Sequence, residues 1–172
     1  MSTVLKRASF SPILADMVDF SNAIYDYECK LLSQAANCAI HLAAMKFSAE
    51  AIIEQYPLDT MQPGDVYVLN DPYKGGTHIN DITFLSPIFF DGDIIAFAVS
   101  RGHWMDLGGG AAGGQAFGGT HIAGEGLRLP PLKLFDAGKV REDLLAIILN
   151  NTRTPFYVKG DTQAHVGALK AG

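Results

Sequence analysis

The sequence predicts an α+β fold, in which β-hairpins and helices are mixed along the chain beside a glycine-rich loop. Two apolar, β-favouring runs flank a turn signal at residues 91–93, and this pattern predicts a hairpin. Apolar residues recur at helical spacing between residues 45 and 56, while residues 108–126 are too glycine-rich for a regular element. The chain has 172 residues and is 48% hydrophobic, so we expect one domain with one sizeable core.

The other elements follow from local patterns of apolar residues and chain-breaking residues. Pro57 ends the first predicted helix, and Pro63-Gly64 turns the chain into a strand. In chain order, we predict strand-like residues 20–32 with a turn at 26–28, a helix over 45–56, a strand over 65–69, hairpin strands over 82–90 and 94–99, a helix from Val140 to about 150, and the start of another helix over 163–172.

The hairpin connects two segments, NDPYKGGTHINDI (70–82) and SRGHWMDLGG (100–109), that hold three potential metal ligands: His78, Asp81 and His103. A two-residue loop pairs Phe90 with Asp93 and sets Asp81 opposite Gly102. A three-residue loop pairs Phe90 with Ile94 and sets Asp81 opposite His103. Only the second register puts Asp81 and His103 on one face, with Cβ atoms roughly 5 Å apart.

His78 lies three residues before Asp81, so a regular strand would point the two side chains to opposite faces. The preceding Gly75-Gly76 must therefore belong to a loop that curls back. Two imidazoles and one carboxylate at one hairpin mouth are typical of a metal site with open positions for Zn²⁺, Mn²⁺ or Fe²⁺. The alternative is a surface histidine that is hydrogen-bonded to a nearby carboxylate.

Composition excludes several other functions. The net charge is −5, the pI is about 5.4, and a basic patch for nucleic acid is absent from the sequence. Apolar runs stay shorter than the roughly 18 residues that cross a bilayer. Cys29 and Cys38 match neither a CxxC motif nor a disulfide framework, which indicates free thiols in a reducing cytoplasm. The segment GGGAAGGQAFGGT (108–120) lacks the Gly-Lys-Ser/Thr ending of a P-loop.

Several motifs in a fixed order resemble those of the hydantoinase B/oxoprolinase family, which includes the large subunits of acetone- and acetophenone-type carboxylases. Besides the two ligand segments, they are Asp19-Phe20-Ser21, Ile40-His41-Leu42 with Met45, Pro63-Gly64-Asp65, Asn70-Asp71-Pro72, Glu125-Gly126-Leu127 with Pro130, Asn151-x-Arg153-Thr154-Pro155 and Gly160-Asp161. Family subunits are far longer. We therefore expect residues 1–172 to be the N-terminal part of such a catalytic domain, a fragment of a larger subunit.

The resemblance implies a site and an activity. It implies that His78, Asp81 and His103 are ligands and that Asp19 is a possible fourth ligand; a capping role for Asp19 is the alternative. His41 could support the ligands from behind or be a hydrogen-bonded core residue.

Glu125 is the candidate for acid–base work, with Asp106 and His121 as weaker candidates, because the glycine-rich loop could return it to the hairpin mouth. The alternative for Glu125 is a solvated loop charge. Gly109 and Gly110 are candidates for close approach to the substrate.

The resemblance also implies a reaction: opening of hydantoin or another cyclic amide, with ATP supplied through a separate hydantoinase A-like subunit. A ketone carboxylase is the second possibility, and a non-catalytic metal-binding fragment is the third. Expected partners are the A-like subunit, the remaining portion of the B subunit and a small-molecule substrate. An oligomer is expected because the chain should expose apolar surface that other segments cover.

Overall fold

A computed structural model, which describes residues 1–35, 37–114 and 119–172, confirms the α+β class. Its centre is a seven-stranded sheet in the order β2-β1-β5-β4-β3-β6-β7, and every pair of neighbours is antiparallel. The strands are β1 (Phe20–Asp26), β2 (Leu31–Ala35), β3 (Val66–Leu69), β4 (Asp81–Phe90), β5 (Asp93–His103), β6 (Leu132–Asp136) and β7 (Lys139–Val140).

Five α-helices cover the two faces of this sheet. They are α1 (Ser2–Ala8), α2 (Pro12–Ala15), α3 (Ala39–Gln55), α4 (Glu142–Asn150) and α5 (Pro155–Lys170). Helix α3 packs alone on one face, where Met45 and Ile52 contact inward-facing residues such as Phe97. The other four helices pack on the opposite face, around a core that includes Phe84 and Trp104. The sheet is therefore the middle layer of three.

The hairpin of β4 and β5 combines features of both predicted registers. Its loop is the two-residue Asp91-Gly92, with Phe90 paired to Asp93, and both loop residues have positive φ as in a type I′ turn. Ile88 nevertheless pairs with Ala96, so that Ile95 is an extra residue in β5. This β-bulge shifts the register by one residue. Asp81 therefore lies directly opposite His103, as the alternative with a longer loop required.

Most of the other predicted elements are confirmed with small changes at their ends. Strands β1 and β2 replace the strand-like residues 20–32, with their turn near the predicted place. Helix α3 begins earlier than the periodic residues indicated, at Ala39. Helix α4 ends at Asn150, as expected. The structure also adds elements that the sequence pattern did not reveal: α1, α2, β6 and β7.

The predicted start of the last helix at Gln163 is wrong, because α5 begins at Pro155. Two glycines lower the helix propensity of this segment and hide its first half. Tertiary contacts hold that half in place. Asp161 Oδ1 accepts the backbone N–H groups of Phe10 and Ser11 at 2.8 and 3.1 Å, and the Phe10 ring packs where a Cβ of Gly160 would lie.

The glycine-rich segment is a loop where the structure describes it. Between residues 108 and 126 it contains only short 3₁₀ turns, at Ala112–Gly114 and Ile122–Gly124; residues 115–118 lie outside the described part. Helices in the described ranges are also too short or too polar to cross a bilayer.

Candidate metal site

Three neighbouring strands place a carboxylate, an imidazole and a second carboxylate in one row. Asp19 immediately precedes β1, His103 ends β5, and Asp81 begins β4. The backbone N–H of His103 donates to the carbonyl oxygen of Asp19 at 3.0 Å, and His103 pairs with Asp81 on its other side. Because side chains alternate along strands, this register points all three toward the α3 face of the sheet.

Asp81 is the centre of the site. Its side chain is buried, and its Oδ1 atom faces three imidazoles: Nδ1 of His103 at 3.4 Å, Nε2 of His41 at 3.4 Å and Nε2 of His78 at 3.5 Å. None of these contacts is a hydrogen bond, so within the described residues this buried oxygen has no hydrogen-bond partner. Its other oxygen accepts a hydrogen bond from the Thr77 hydroxyl.

Electrostatics keep Asp81 ionised and His78 neutral. Burial on its own raises the pKa of Asp81, but the contacts from His103, His41 and Thr77 outweigh burial and hold that pKa well below its usual range. Burial lowers the pKa of His78, with the Asp81 charge opposing part of the effect. An anionic carboxylate beside a neutral imidazole is the protonation pattern that metal coordination needs.

His78 reaches the site from the loop that the sequence predicted. The backbone N–H of Asp81 donates to the His78 carbonyl oxygen at 3.0 Å, which closes a turn and brings the ring back over Asp81. The backbone N–H of Asn80 donates to His78 Nδ1 at 3.1 Å, so the neutral ring has its proton on Nε2. Coordination through Nε2 therefore requires His78 to give up this acceptor role.

His41 is closer to the ligands than a purely supporting residue would be. It lies in the first turn of α3, it is 2% exposed, and its Nε2 is also 3.7 Å from Asp19 Oδ1. Its Nδ1 has no hydrogen-bond partner in the parts of the chain that the structure describes. Asp19, Cys38 and His41 form a second group whose ligand atoms lie within 4.8 Å of one another, next to the group of His78, Asp81 and His103.

The residues present fit a divalent transition metal. Nitrogen and oxygen donors suit Zn²⁺, Mn²⁺ and Fe²⁺, and a buried carboxylate oxygen among imidazoles needs a cation or donated protons for compensation. Asp81 Oδ1 lacks such protons among the described residues, and a metal ion would supply the missing charge. His78 is about half buried, so one side of the cluster is open to a small molecule.

Glu125 lies in the neighbourhood of this open side. It follows the 3₁₀ turn Ile122–Gly124 and lines a pocket of about 370 Å³ together with Thr77, His78, Tyr73 and His121. The glycine-rich loop thus returns Glu125 to the pocket that His78 lines. Its role in proton transfer stays a prediction.

Gly109 and Gly110 hold the turn that ends at Glu125. The backbone N–H of Gly110 donates to the carbonyl oxygen of Gly124 at 2.8 Å, and a Cβ on Gly109 would lie 2.6 Å from the carbonyl carbon of Glu125. Gly109 also lines an adjacent pocket of about 420 Å³ with His121 and Arg128. These contacts support a backbone role for both glycines, and substrate contact stays a prediction.

Asp106, a weaker acid–base candidate, has structural partners instead. Its carboxylate accepts the backbone N–H groups of Arg153 at 2.6 Å and Gly108 at 3.2 Å, and it forms an ion pair with the Arg153 guanidinium. Although burial raises its pKa, these contacts lower the pKa of Asp106 below its ordinary value. The carboxylate fixes the loop that follows β5.

The motif interpretation missed Arg101, which lies two residues before His103 on the same face of β5. The side chain is fully buried, and burial lowers its pKa to about 10, so it remains protonated at neutral pH. A sequence signal was available. Phe97, Val99, Arg101 and His103 share the inward-facing positions of β5, so a charged side chain follows two apolar ones in a buried row.

Comparison with known proteins gives the same assignment over the whole chain. The family model described as hydantoinase B/oxoprolinase matches residues 1–172. The chain belongs to this family. The caprolactamase subunit beta of Pseudomonas jessenii is 34% identical over 172 residues, which are all of this chain and 29% of that subunit. The chain therefore spans less than a third of this relative.

Solved structures agree with the fold. The crystal structure of the ATP-dependent caprolactamase from Pseudomonas jessenii superposes with a TM-score of 0.91 at 32% identity, over 99% of this chain and 29% of that chain. A nucleotide-free acetone carboxylase superposes with a TM-score of 0.86, over 98% of this chain and 22% of that one. At 21% identity, the second likeness concerns the fold alone.

Proposed function

We propose that this chain is the metal-binding part of a hydrolase that opens cyclic amides in an ATP-dependent complex. The observation that supports this most is the buried Asp81 Oδ1 atom, which has no hydrogen-bond partner among the described residues and faces three imidazoles. We assign His78, Asp81 and His103 as ligands of one Zn²⁺, Mn²⁺ or Fe²⁺ ion, with Asp19 as a fourth ligand and His41 directly beside them.

The chemistry assigned to these residues is hydrolysis of a carbon–nitrogen bond. A divalent ion bound there would polarise the amide carbonyl and acidify water. Glu125 accepts a proton from the attacking water and returns it to the ring nitrogen, so that the C–N bond breaks as the C–O bond forms. The products are a carboxylate and an amine in one open chain. The pocket that Glu125 and His78 line is where we place the substrate.

The substrate class follows from the family. Caprolactam, hydantoin and 5-oxoproline all contain an amide within a ring, and the relative that covers the full chain is a caprolactamase subunit. We place ATP on a hydantoinase A-like partner, because the sequence contains no P-loop. A ketone carboxylase remains the second candidate, supported by the fold likeness to acetone carboxylase.

Exposed apolar side chains support association with further protein. Leu31 and Leu32 on the edge strand β2 are 49% and 61% exposed, and Ile40 and Phe47 on α3 are 66% and 58% exposed. We assign this surface to the remaining portion of the subunit or to the A-like partner. A cytoplasmic location is part of the same proposal and is consistent with two free cysteines.

The metal assignment is tested by elemental analysis of the purified full chain. We expect about one transition metal ion per chain in the wild type. The His78→Ala/His103→Ala variant should lose it, because two imidazole ligands are removed. Equal metal in both proteins would overturn the site.

The reaction is tested by turnover of hydantoin, 5-oxoproline and caprolactam, with and without ATP and a hydantoinase A-like partner. We expect little turnover by the chain alone, and in the reconstituted complex Glu125→Gln should lower turnover about 100-fold while metal content stays constant. Glu54→Gln, on the exposed side of α3, is the matched control and should have no effect. ATP-dependent carboxylation of acetone without amide hydrolysis would favour the carboxylase. Metal binding without either reaction would favour the non-catalytic fragment.

A further inference from the structure

Arg101 is a fully buried charge adjacent to the site, and it has an unusual set of partners. Its Nε donates to the Thr83 hydroxyl at 2.7 Å, and its Nη2 donates to the carbonyl oxygen of Gly75 at 3.0 Å and to the Ser48 hydroxyl. Its Nη1 has no partner in the described residues, and no carboxylate there lies within 4.0 Å of the guanidinium. All of its hydrogen bonds are to neutral acceptors.

Burial of an unpaired guanidinium is costly, so the fold must compensate for the charge. The register shows where compensation comes from. Arg101 pairs with Thr83, and the next pair on the same face is His103 with Asp81. Residues two apart along a strand are separated by about 7 Å. The positive charge therefore lies beside the anionic Asp81, one residue pair further into the sheet.

The same side chain fixes the loop that holds His78. The Ser48 hydroxyl donates to the carbonyl oxygen of Gly75 at 2.6 Å, so Arg101 and Ser48 both bind one backbone oxygen. Gly75 has a φ of +86°, and a Cβ there would lie 2.4 Å from the carbonyl carbon of Phe47. The loop is thus pressed against α3, and Thr77, two residues further on, bonds to Asp81.

Arg101 consequently connects the three elements that supply the imidazoles of the site. It belongs to β5, which holds His103; it contacts α3, which holds His41; and it binds the loop that holds His78. We propose that Arg101 is a positioning residue that fixes these elements relative to one another and thereby sets the coordination geometry and affinity of the site for a divalent cation. This inference rests on the metal site of the proposed function.

The test is titration of the full metal-free chain with Co²⁺, whose d–d absorption reports coordination geometry. Arg101→Lys keeps the charge but removes the planar fork that reaches Thr83 and Gly75 together. We expect it to raise the Kd for Co²⁺ about 10-fold or more and to change the d–d spectrum. Ser48→Ala, which removes the shared hydroxyl, should raise the Kd about 3-fold. Arg141→Lys, at an exposed ion pair, is the matched control and should match the wild type in both measurements.

Circular dichroism establishes that each variant is folded. A folded Arg101→Lys chain with the wild-type Kd and spectrum overturns the inference. If Arg101→Lys does not fold, Ser48→Ala decides: a raised Kd supports the clamp, and an unchanged Kd overturns it. A wild-type chain that binds no Co²⁺ overturns the metal site itself, and with it this inference. Wild-type binding with unaltered variants overturns this inference alone.

Discussion

Three buried aspartates in this chain have opposite relations to their surroundings. Asp65 and Asp106 are 0% and 2% exposed, and both are surrounded by donors. Asp65 accepts backbone N–H groups from Gln62 and Ala137, a hydroxyl from Tyr67 and an ion pair from Lys133 at 2.8 Å. Asp81 is equally buried, yet one of its oxygens has no hydrogen-bond donor among the described residues.

The difference separates structural carboxylates from a candidate ligand. Where N–H and O–H groups satisfy every acceptor, the carboxylate stabilises the fold and has no capacity left for a cation. Where the facing groups are imidazole nitrogens at 3.4–3.5 Å, the oxygen is desolvated without compensation, and the arrangement suits a shared metal ion. Burial alone would not distinguish Asp81 from Asp65; the partners do.

The largest expected effect breaks this contrast at Asp81. Replacement of Asp81 by Asn removes the only anionic ligand among the three central residues, and we expect the affinity for Zn²⁺ to fall more than about 100-fold. The free energy of unfolding of the metal-free chain should change by less than about 1 kcal/mol, because no hydrogen bond to Oδ1 is lost. Competition with a chelator and urea denaturation measure the two quantities. Retained affinity would count against the ligand assignment.

The reciprocal change is Asp65→Asn. It removes the charge that pairs with Lys133 and converts one acceptor into a donor facing backbone N–H groups, so we expect a loss of about 2 kcal/mol in the free energy of unfolding. Zn²⁺ affinity should stay within about 2-fold of the wild type, because Asp65 lies away from the ligand cluster. The same urea and chelator measurements apply. A stability loss with a parallel loss of metal affinity would erase the distinction between the two carboxylates.

A smaller effect concerns pH and Asp106. The pKa of Asp106 is lowered in the folded chain, so its stabilisation is fully present above the unfolded-state value near 3.9 and is lost as pH falls through the folded-state pKa. Asp106→Asn should therefore be about 1 kcal/mol less stable than the wild type at pH 7. The difference should shrink below about pH 4. Denaturation curves at pH 7, 4 and 2.5 test this; a difference that does not vary with pH would contradict it.

Much of the site was readable from residue types and spacing. His78, Asp81 and His103 stand out because two motifs with glycine neighbours flank a strong hairpin signal. The structure places these three within 4.8 Å of one another, as the sequence predicted. Glu125 was placed by the glycine-rich loop, and the structure gives it a pocket in common with His78. The ligand roles themselves stay predictions until metal is measured.

The register of the hairpin was not readable, and the reason is physical. Asp91-Gly92 favours a two-residue turn, and strict pairing from that turn would have moved Asp81 away from His103. The bulge at Ile95 restores the pairing. An extra residue of this kind depends on how β5 packs between β1 and β4, and Ile95 itself has the same β-branched, apolar character as its neighbours.

The sequence by itself determined the class of fold, the central hairpin, two helices, the family and a short set of candidate ligands, because each depends on local propensity or on residue type. Only the tertiary structure decided that His41 approaches Asp81, that Arg101 joins three elements, and that α5 begins at Pro155. These features depend on contacts between residues far apart in the chain. No local period encodes such contacts, and they form only when the helices close over the two faces of the sheet.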